Sequence, residues 1–129
     1  MLSHVFVPIT DFERAFEFYT AIMGELAFKL RFCDQSRPWA GWQGGVPRPI
    51  FLIGRPFDGE AMAPGNGHMV ALLAPSRMAV DRCHETALRL GGQDEGAPGL
   101  RPVYHQNYYG AYFRDPDGNK LCACCHDAA

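Results

Sequence analysis

Apolar and polar residues alternate along the chain in two similar series, and the first series begins with a predicted strand at residues 3–9. After it, apolar side chains recur every three or four residues, as they do along a helix that packs on one side. Thr10 and Glu13 are predicted to begin this helix as a capping box, and Gly24 to end it. The predicted buried face consists of Phe12, Ala15, Phe16, Tyr19, Ile22 and Met23.

Three short strands are predicted next, at residues 27–33, 38–43 and 49–54. Alternating side chains in the first, and glycine or proline at the ends of the others, favour extended structure. Residues 55–66 are rich in glycine and proline and are predicted as a linker. Module one therefore spans residues 1–54.

The same order of elements follows the linker in module two, residues 67–126. A strand at 67–73 precedes a helix that Gly91–Gly92 should end, and Asp115-Pro116-Asp117-Gly118 predicts a hairpin turn. The turn joins strands at 110–114 and 119–125, and a further strand is expected within 93–103. The predicted inner face of the helix holds Ala79, Val80, Cys83, Ala87 and Leu88. The whole chain is predicted to be one α+β domain.

Strand alternation predicts which side chains lie on the faces away from the helices. If Val7 faces the first helix, His4 lies on the opposite side of its strand. If Leu73 packs on the second helix, His68 also points away from that helix. On the last strand the same argument places Cys122 away from the helix. The sequence thus predicts that these three side chains face one cavity.

The composition excludes several classes of protein. The 129 residues carry a net charge of −2, and lysine and arginine form no basic stripe, which argues against a nucleic-acid partner. No apolar run approaches the roughly 20 residues that a membrane span needs, and no signal peptide is evident. Five cysteines, an odd number, favour a reduced, cytoplasmic protein without a disulfide framework.

Three segments resemble a known family. SHVFVPITDFERAFEFYTAIMG is similar to the opening H-V-x-x-x-V-x-D-x-x-x-A-x-x-F-Y of the vicinal-oxygen-chelate superfamily, which includes glyoxalase I, bleomycin-resistance proteins and extradiol dioxygenases. HMVALLAPSRMAVDRCHETALRLGG resembles its second-module opening, and YYGAYFRDPDGNKLCACCH its closing hairpin. The resemblance covers nearly the whole chain. It implies paired βαβββ modules whose curved mixed sheets surround a cavity, with the helices on the outer face.

In the catalytic members of that family, a divalent metal lies in the cavity, held by residues of the opening and closing strands. The resemblance assigns ligand positions to His4 and His68, whereas Cys122 stands where the closing strand usually has a ligating Glu. A His–His–Cys set would suit zinc. The lost carboxylate argues against an Fe(II) oxygenase and against the proton transfer of glyoxalase I.

The same residues also have structural interpretations. A histidine early in a strand is commonly hydrogen-bonded or lines a cavity without a metal, and free cysteine behaves as a small apolar residue. The run CACC is therefore also explained by packing. A redox role for these cysteines is a third alternative, with only Lys120 and His126 as basic neighbours.

Two loops rich in aromatic and polar residues are predicted to bind the substrate at the cavity mouth. The alternative is that these aromatic rings seal the modules or a dimer interface. The candidate substrate-binding residues are Trp39, Trp42, Arg101, Tyr104, His105, Tyr108 and Tyr109.

Two functions are consistent with these features. The first is a cytoplasmic glyoxalase-like protein that binds a small metabolite in a sheet-lined cavity and acts as a metal-dependent lyase, isomerase or dioxygenase-type enzyme. The second is a metal-free binding protein of the bleomycin-resistance type, which sequesters its ligand. The expected partners are a small molecule and, by resemblance, a second copy of the chain in a homodimer. The sequence leaves open whether the modules pair within one chain or between chains.

Overall fold

The computed structural model describes residues 1–129 and contains two helices and eight strands, which confirms the predicted α+β class. Neither helix is long and apolar enough to cross a membrane. The elements are β1 (His4–Pro8), α1 (Phe12–Glu25), β2 (Lys29–Asp34), β3 (Trp39–Gln43), β4 (Ile50–Gly54), β5 (Val70–Leu73), α2 (Arg77–Arg89), β6 (Gln93–Leu100), β7 (Tyr109–Arg114) and β8 (Lys120–Cys125).

The strands form two mixed four-stranded sheets with the same internal order. The first sheet has the order β1-β4-β3-β2 and the second β5-β8-β7-β6. In each sheet the opening strand is parallel to the closing strand, while the remaining pairs are antiparallel. No strand ladder connects the two sheets, so β1 and β5 are both free edges. The βαβββ repeat is therefore present, and no closed barrel forms within the chain.

The two modules share one hydrophobic core, which lies where the helices meet. Helix α1 packs against α2, and each helix also covers one face of its own sheet. Phe18 of α1 is fully buried, and its ring centroid lies 6.3 Å from that of Phe113 in β7. Burying an aromatic side chain of this size contributes about 1.5–3 kcal/mol. The core therefore fixes the modules to each other through their helix sides.

A buried polar network joins the predicted hairpin turn to module one. The Tyr19 hydroxyl donates to the Asp115 carboxylate at 2.5 Å, and the Asn119 side-chain amide donates to the Pro8 carbonyl at 2.8 Å. Burial raises the pKa of Asp115 above its ordinary value, although hydrogen bonds from Tyr19 and Asn119 oppose the shift. Gly118 takes a φ of 93°, as the predicted turn requires. The turn thus also connects the two modules.

Helix α1 begins and ends differently from the prediction. Asp11, not Thr10, is the N-cap, and its carboxylate accepts the Arg14 backbone N–H at 3.2 Å. Aspartate is at least as good an N-cap residue as threonine. The sequence therefore did not determine whether the helix is capped by Thr10 or by Asp11. The helix also passes through Gly24, and the left-handed residue that follows it is Ala27, with φ of 62°. On the helix face that was predicted to be buried, Phe16 is only partly buried. Phe18, which was not predicted to lie on that face, is buried.

Strand β5 is shorter than predicted, and the side chains that it directs to the core are not the predicted ones. It begins at Val70, and Val70 and Leu72 pack against the core, whereas Leu73 is 62 % exposed. The sequence GHMVALL is apolar on both faces, so alternation alone could not determine which side is buried. Helix α2, by contrast, has the predicted inner face except for exposed Leu88, and β6 lies within the expected range.

Candidate functional site

Each sheet has one face turned away from its helix. The first open face carries His4, Phe6, Trp39 and Leu52, and the second open face carries Tyr112, Cys122 and Cys124. These assignments follow from strand alternation, because Val7 and Ile53 of the first sheet lie in the core, as do Phe113, Leu121 and Ala123 of the second. Any chemistry of the sheets is therefore divided between two separate surfaces.

The first open face contains a cavity with a volume of about 790 Å³. This volume lies within the roughly 300–1,000 Å³ typical of small-molecule sites. Strands β1, β3 and β4 form its floor, and the segment from Arg55 to Ala63 closes one side. The side chains that characterise it are His4, Phe6, Arg37, Trp39, Arg55 and Phe57.

Positive charge and aromatic surface occur together in this cavity. The Arg37 guanidinium carbon lies 3.8 Å from the centroid of the Trp39 ring, a cation–π contact. Phe32 meets the same ring edge-on at 4.7 Å and holds it in place. Arg55 adds a second guanidinium, and Asp58 is the one acidic side chain in the lining. The cavity can therefore accept a flat molecule that carries negative charge.

The second open face is filled rather than open. The Tyr108 hydroxyl lies 3.1 Å from the Tyr112 hydroxyl and 3.5 Å from Cys122 Sγ, which is completely buried. Arg101 lies over the Tyr112 ring at 5.5 Å. A hydrogen bond to Cys124, together with burial, raises the pKa of Cys122 far above its ordinary value. Cys122 is therefore a protonated thiol at neutral pH.

A chain of imidazoles reaches the other thiol of this face. The Cys124 sulfur lies 3.7 Å from His126 Nε2, and His126 Nδ1 lies 2.8 Å from His105 Nε2. His105 belongs to the loop before β7, 21 residues away in sequence from His126. Only the folding of that loop over β8 creates the contact, so no residue spacing in the sequence predicts it.

The strand register shows which positions of the two modules are equivalent. Val5 pairs with Phe51 in the first sheet, and Val70 pairs with Leu121 in the second. His4 therefore corresponds to Met69, and His68 lies one residue before the position that is equivalent to His4. His68 precedes β5, and its exposed ring packs against Gly65.

The side chains proposed as metal ligands do not form a donor set that fits a divalent ion within one chain. No three His, Cys, Asp or Glu side chains lie close enough together to hold a metal. Cys122 corresponds in register to Leu52, so the closing strands supply one apolar residue and one buried thiol at this position, and neither supplies a carboxylate there. Metal coordination by His4, His68 and Cys122 stays a prediction.

The candidate substrate-binding residues are divided among three places. Trp39 lines the cavity of the first open face, while Arg101, Tyr104, His105 and Tyr108 lie in or beside the loop that covers the second. Trp42 is 2 % exposed on the helix side of β3, and Tyr109 packs against the core with its hydroxyl donating to Asp81 at 2.6 Å. A spacing of three along a strand places Trp39 and Trp42 on opposite faces, which the sequence could have revealed.

The sequence model of the Glyoxalase/Bleomycin resistance protein/Dioxygenase superfamily matches residues 1–123. The chain belongs to this superfamily. The resemblance stated from the sequence is therefore confirmed. None of the curated proteins matches the chain.

Several solved structures share the fold of this chain. A glyoxalase/bleomycin resistance protein from Albidiferax ferrireducens T118 is 34 % identical, with a TM-score of 0.87 over 97 % of this chain and 98 % of that one. A family enzyme from Burkholderia phytofirmans PsJN is 19 % identical, with a TM-score of 0.71 over 97 % and 98 % of the two chains. TioX from Micromonospora sp. ML1 is 18 % identical, with a TM-score of 0.67 over 98 % and 99 %. The last two likenesses concern the fold alone.

Proposed function

We propose that this member of the superfamily binds a small, flat, negatively charged molecule in the cavity of the first open face, without a metal ion. The observation that carries the proposal is the pairing of Arg37 with Trp39 in a cavity of about 790 Å³. Guanidinium groups bind carboxylate or sulfonate oxygens through fixed pairs of N–H donors. The adjoining rings offer a flat apolar surface for the rest of the ligand.

The side chains around this cavity support binding without a metal ion, because a carboxylate is missing at the closing-strand position. His4 is the imidazole that lines it, and Leu52 occupies the closing-strand position, where a carboxylate would be needed. A lyase, isomerase or dioxygenase of the metal-dependent kind needs several such donors together. The binding function, which sequesters its ligand, requires only the charge and shape that the cavity already has.

We further propose that two copies of the chain associate through the free edges of β1 and β5. An unpaired strand edge favours pairing with another strand. Large apolar side chains are exposed beside both edges, with Leu2 55 % and Leu73 62 % exposed. A second, apolar cleft of about 440 Å³ lies between the two edges and includes both residues. Burial of this surface would bring the first open face of one copy next to the second open face of its partner.

Light scattering after size-exclusion chromatography tests the association. The wild-type protein should have the mass of a dimer, and Leu73→Asp should shift it towards a monomer because a charge would be buried in the contact. Val103→Asp is the matched control, since Val103 is more exposed but lies in the loop after β6. A monomeric wild-type protein would contradict the dimer while leaving the binding proposal intact.

Fluorescence titration with 8-anilino-1-naphthalenesulfonate, a flat aromatic anion, tests the binding function. We expect saturable one-site binding that is the same before and after treatment with EDTA. Loss of binding in EDTA that zinc, nickel, cobalt, iron or manganese restores would instead establish the metal-dependent site. Absence of saturable binding would overturn the proposal.

A further inference from the structure

Cys124 lies at the end of a hydrogen-bonded chain that begins at the protein backbone. The Asn107 N–H donates to His105 Nδ1 at 3.2 Å, His105 Nε2 lies 2.8 Å from His126 Nδ1, and His126 Nε2 lies 3.7 Å from Cys124 Sγ. The two imidazole rings are nearly parallel, with centroids 5.1 Å apart. A nucleophile, a histidine and a third group that orients the histidine form the arrangement that activates cysteine in covalent catalysis.

The first donor determines the direction of every later hydrogen bond. A neutral imidazole carries one proton. Because His105 Nδ1 accepts from the Asn107 N–H, the His105 proton must be on Nε2, which donates to His126 Nδ1. The His126 proton is then on Nε2, directed at the Cys124 sulfur. The sulfur must accept this hydrogen bond, and an anionic thiolate accepts it far better than a thiol.

Two further titratable groups lie beside the sulfur: Cys122, two residues earlier in β8, and Tyr108, whose hydroxyl lies 3.5 Å from Cys122 Sγ. The titratable and charged groups facing Cys124 are thus Cys122 from β8, Tyr108 from the preceding loop and His126 after the strand.

The geometry points to Cys124 as a nucleophile that forms a covalent bond with small α,β-unsaturated carbonyl compounds, with His126 and His105 as positioning residues. A polarisable thiolate reacts readily with the soft β-carbon of such compounds. Aromatic rings lie beside His126: the Tyr108 ring centroid is 5.3 Å from that of His126 and 5.0 Å from that of Tyr104. Since Cys124 is only 5 % exposed, small and flat reagents are favoured.

The proposed step is an addition that needs no oxidant. The Cys124 sulfur forms a bond to the β-carbon, and the π electrons of the carbon–carbon double bond move to the α-carbon and carbonyl oxygen as an enolate. A water molecule supplies the proton that the α-carbon takes up, which replaces the proton that the thiol released to solvent earlier. The His126 N–H stabilises the thiolate and remains on the imidazole. The product is a thioether of Cys124.

Alkylation by acrylamide at about neutral pH, followed by peptide mass spectrometry, tests the assignment. The protein contains two internal references: exposed Cys33, and buried Cys83, whose pKa burial raises to about 12. We expect Cys124 to react faster than Cys33, and Cys83 to stay unmodified. His126→Ala and His105→Ala should each slow the Cys124 reaction, the first by about tenfold because the thiolate loses a hydrogen bond that stabilises its charge. His68→Ala, which removes an exposed imidazole that precedes β5, is the matched control and should leave the rate of Cys124 alkylation unchanged.

Two results would overturn the assignment. In the first, Cys124 reacts no faster than Cys33, or Cys122 is alkylated in its place. In the second, His126→Ala and His105→Ala leave the rate unchanged or raise it, which would mean that the imidazoles only shield the sulfur. Circular dichroism checks that both variants are folded. Because His105 is exposed, its replacement does not alter the packing of the core.

Discussion

The two open faces are built on the same strand order but have opposite surfaces. On the first, Phe6 and Leu52 are paired across β1 and β4, and Phe6 is 45 % exposed beside a cavity. At the equivalent positions of the second, Ala71 pairs with Cys122, and Tyr108 and Tyr112 cover the thiol. Identical topology therefore supports a ligand cavity in one module and a covered thiol pair in the other. The side chains of the surrounding loops make the difference.

The comparison also explains why two histidines near the module openings are not equivalent. His4 lies within β1 on the first open face, whereas His68 precedes β5 and is offset by one residue from the corresponding position. A shift of one residue along a strand moves a side chain to the other face. A similar motif in both modules is thus insufficient evidence for a shared site.

The largest expected effect is on the free energy of unfolding, and it concerns the buried hydrogen bonds that join the two modules. Asp115→Ala should lower the free energy of unfolding by about 3 kcal/mol, because the buried Tyr19 hydroxyl and Asn119 amide would lose their acceptor. Asp81→Ala removes a similar but exposed tyrosine–aspartate hydrogen bond and should cost no more than about 1 kcal/mol. Urea unfolding measures both, and equal losses would refute the role given to the buried network.

An intermediate effect is expected on ligand affinity, and it should differ between the two arginines that lie over aromatic rings. Arg37→Ala should weaken binding of 8-anilino-1-naphthalenesulfonate by about tenfold, or about 1.4 kcal/mol, because the first cavity would lose a cation. Arg101→Ala removes the corresponding cation over Tyr112 on the second face and should leave the affinity unchanged. A larger loss in Arg101→Ala would move the ligand site to the second face.

The smallest expected effect, also on ligand affinity, distinguishes His4 from His68. His4→Ala should weaken binding of the same probe by about twofold, since His4, exposed at the start of β1, contributes one polar side chain to the cavity lining. His68→Ala should have no effect on that dissociation constant. Equal and large losses in the two variants are the result expected of two ligands to one metal, and would contradict the metal-free account.

The sequence predicted the fold well because its strongest signals are local. Helical spacing, the turn at Asp115–Gly118 and the order of elements all agree with the structure. It predicted the sites less well, since β5 is apolar on both faces, and packing of Val70 and Leu72 against the core decides which face is buried. The imidazole chain to Cys124 depends on a loop that folds back over β8, and no residue spacing encodes that contact.

The most direct test follows the backbone amide chemical shifts of isotope-labelled protein during titration with 8-anilino-1-naphthalenesulfonate in the presence of EDTA. We expect the perturbed amides to lie around the first cavity, at His4, Phe6, Arg37, Trp39 and Arg55. The amides of Tyr112, Cys122 and Cys124 should be unaffected. Perturbations centred on β8, or none until a divalent metal is added, would contradict the account.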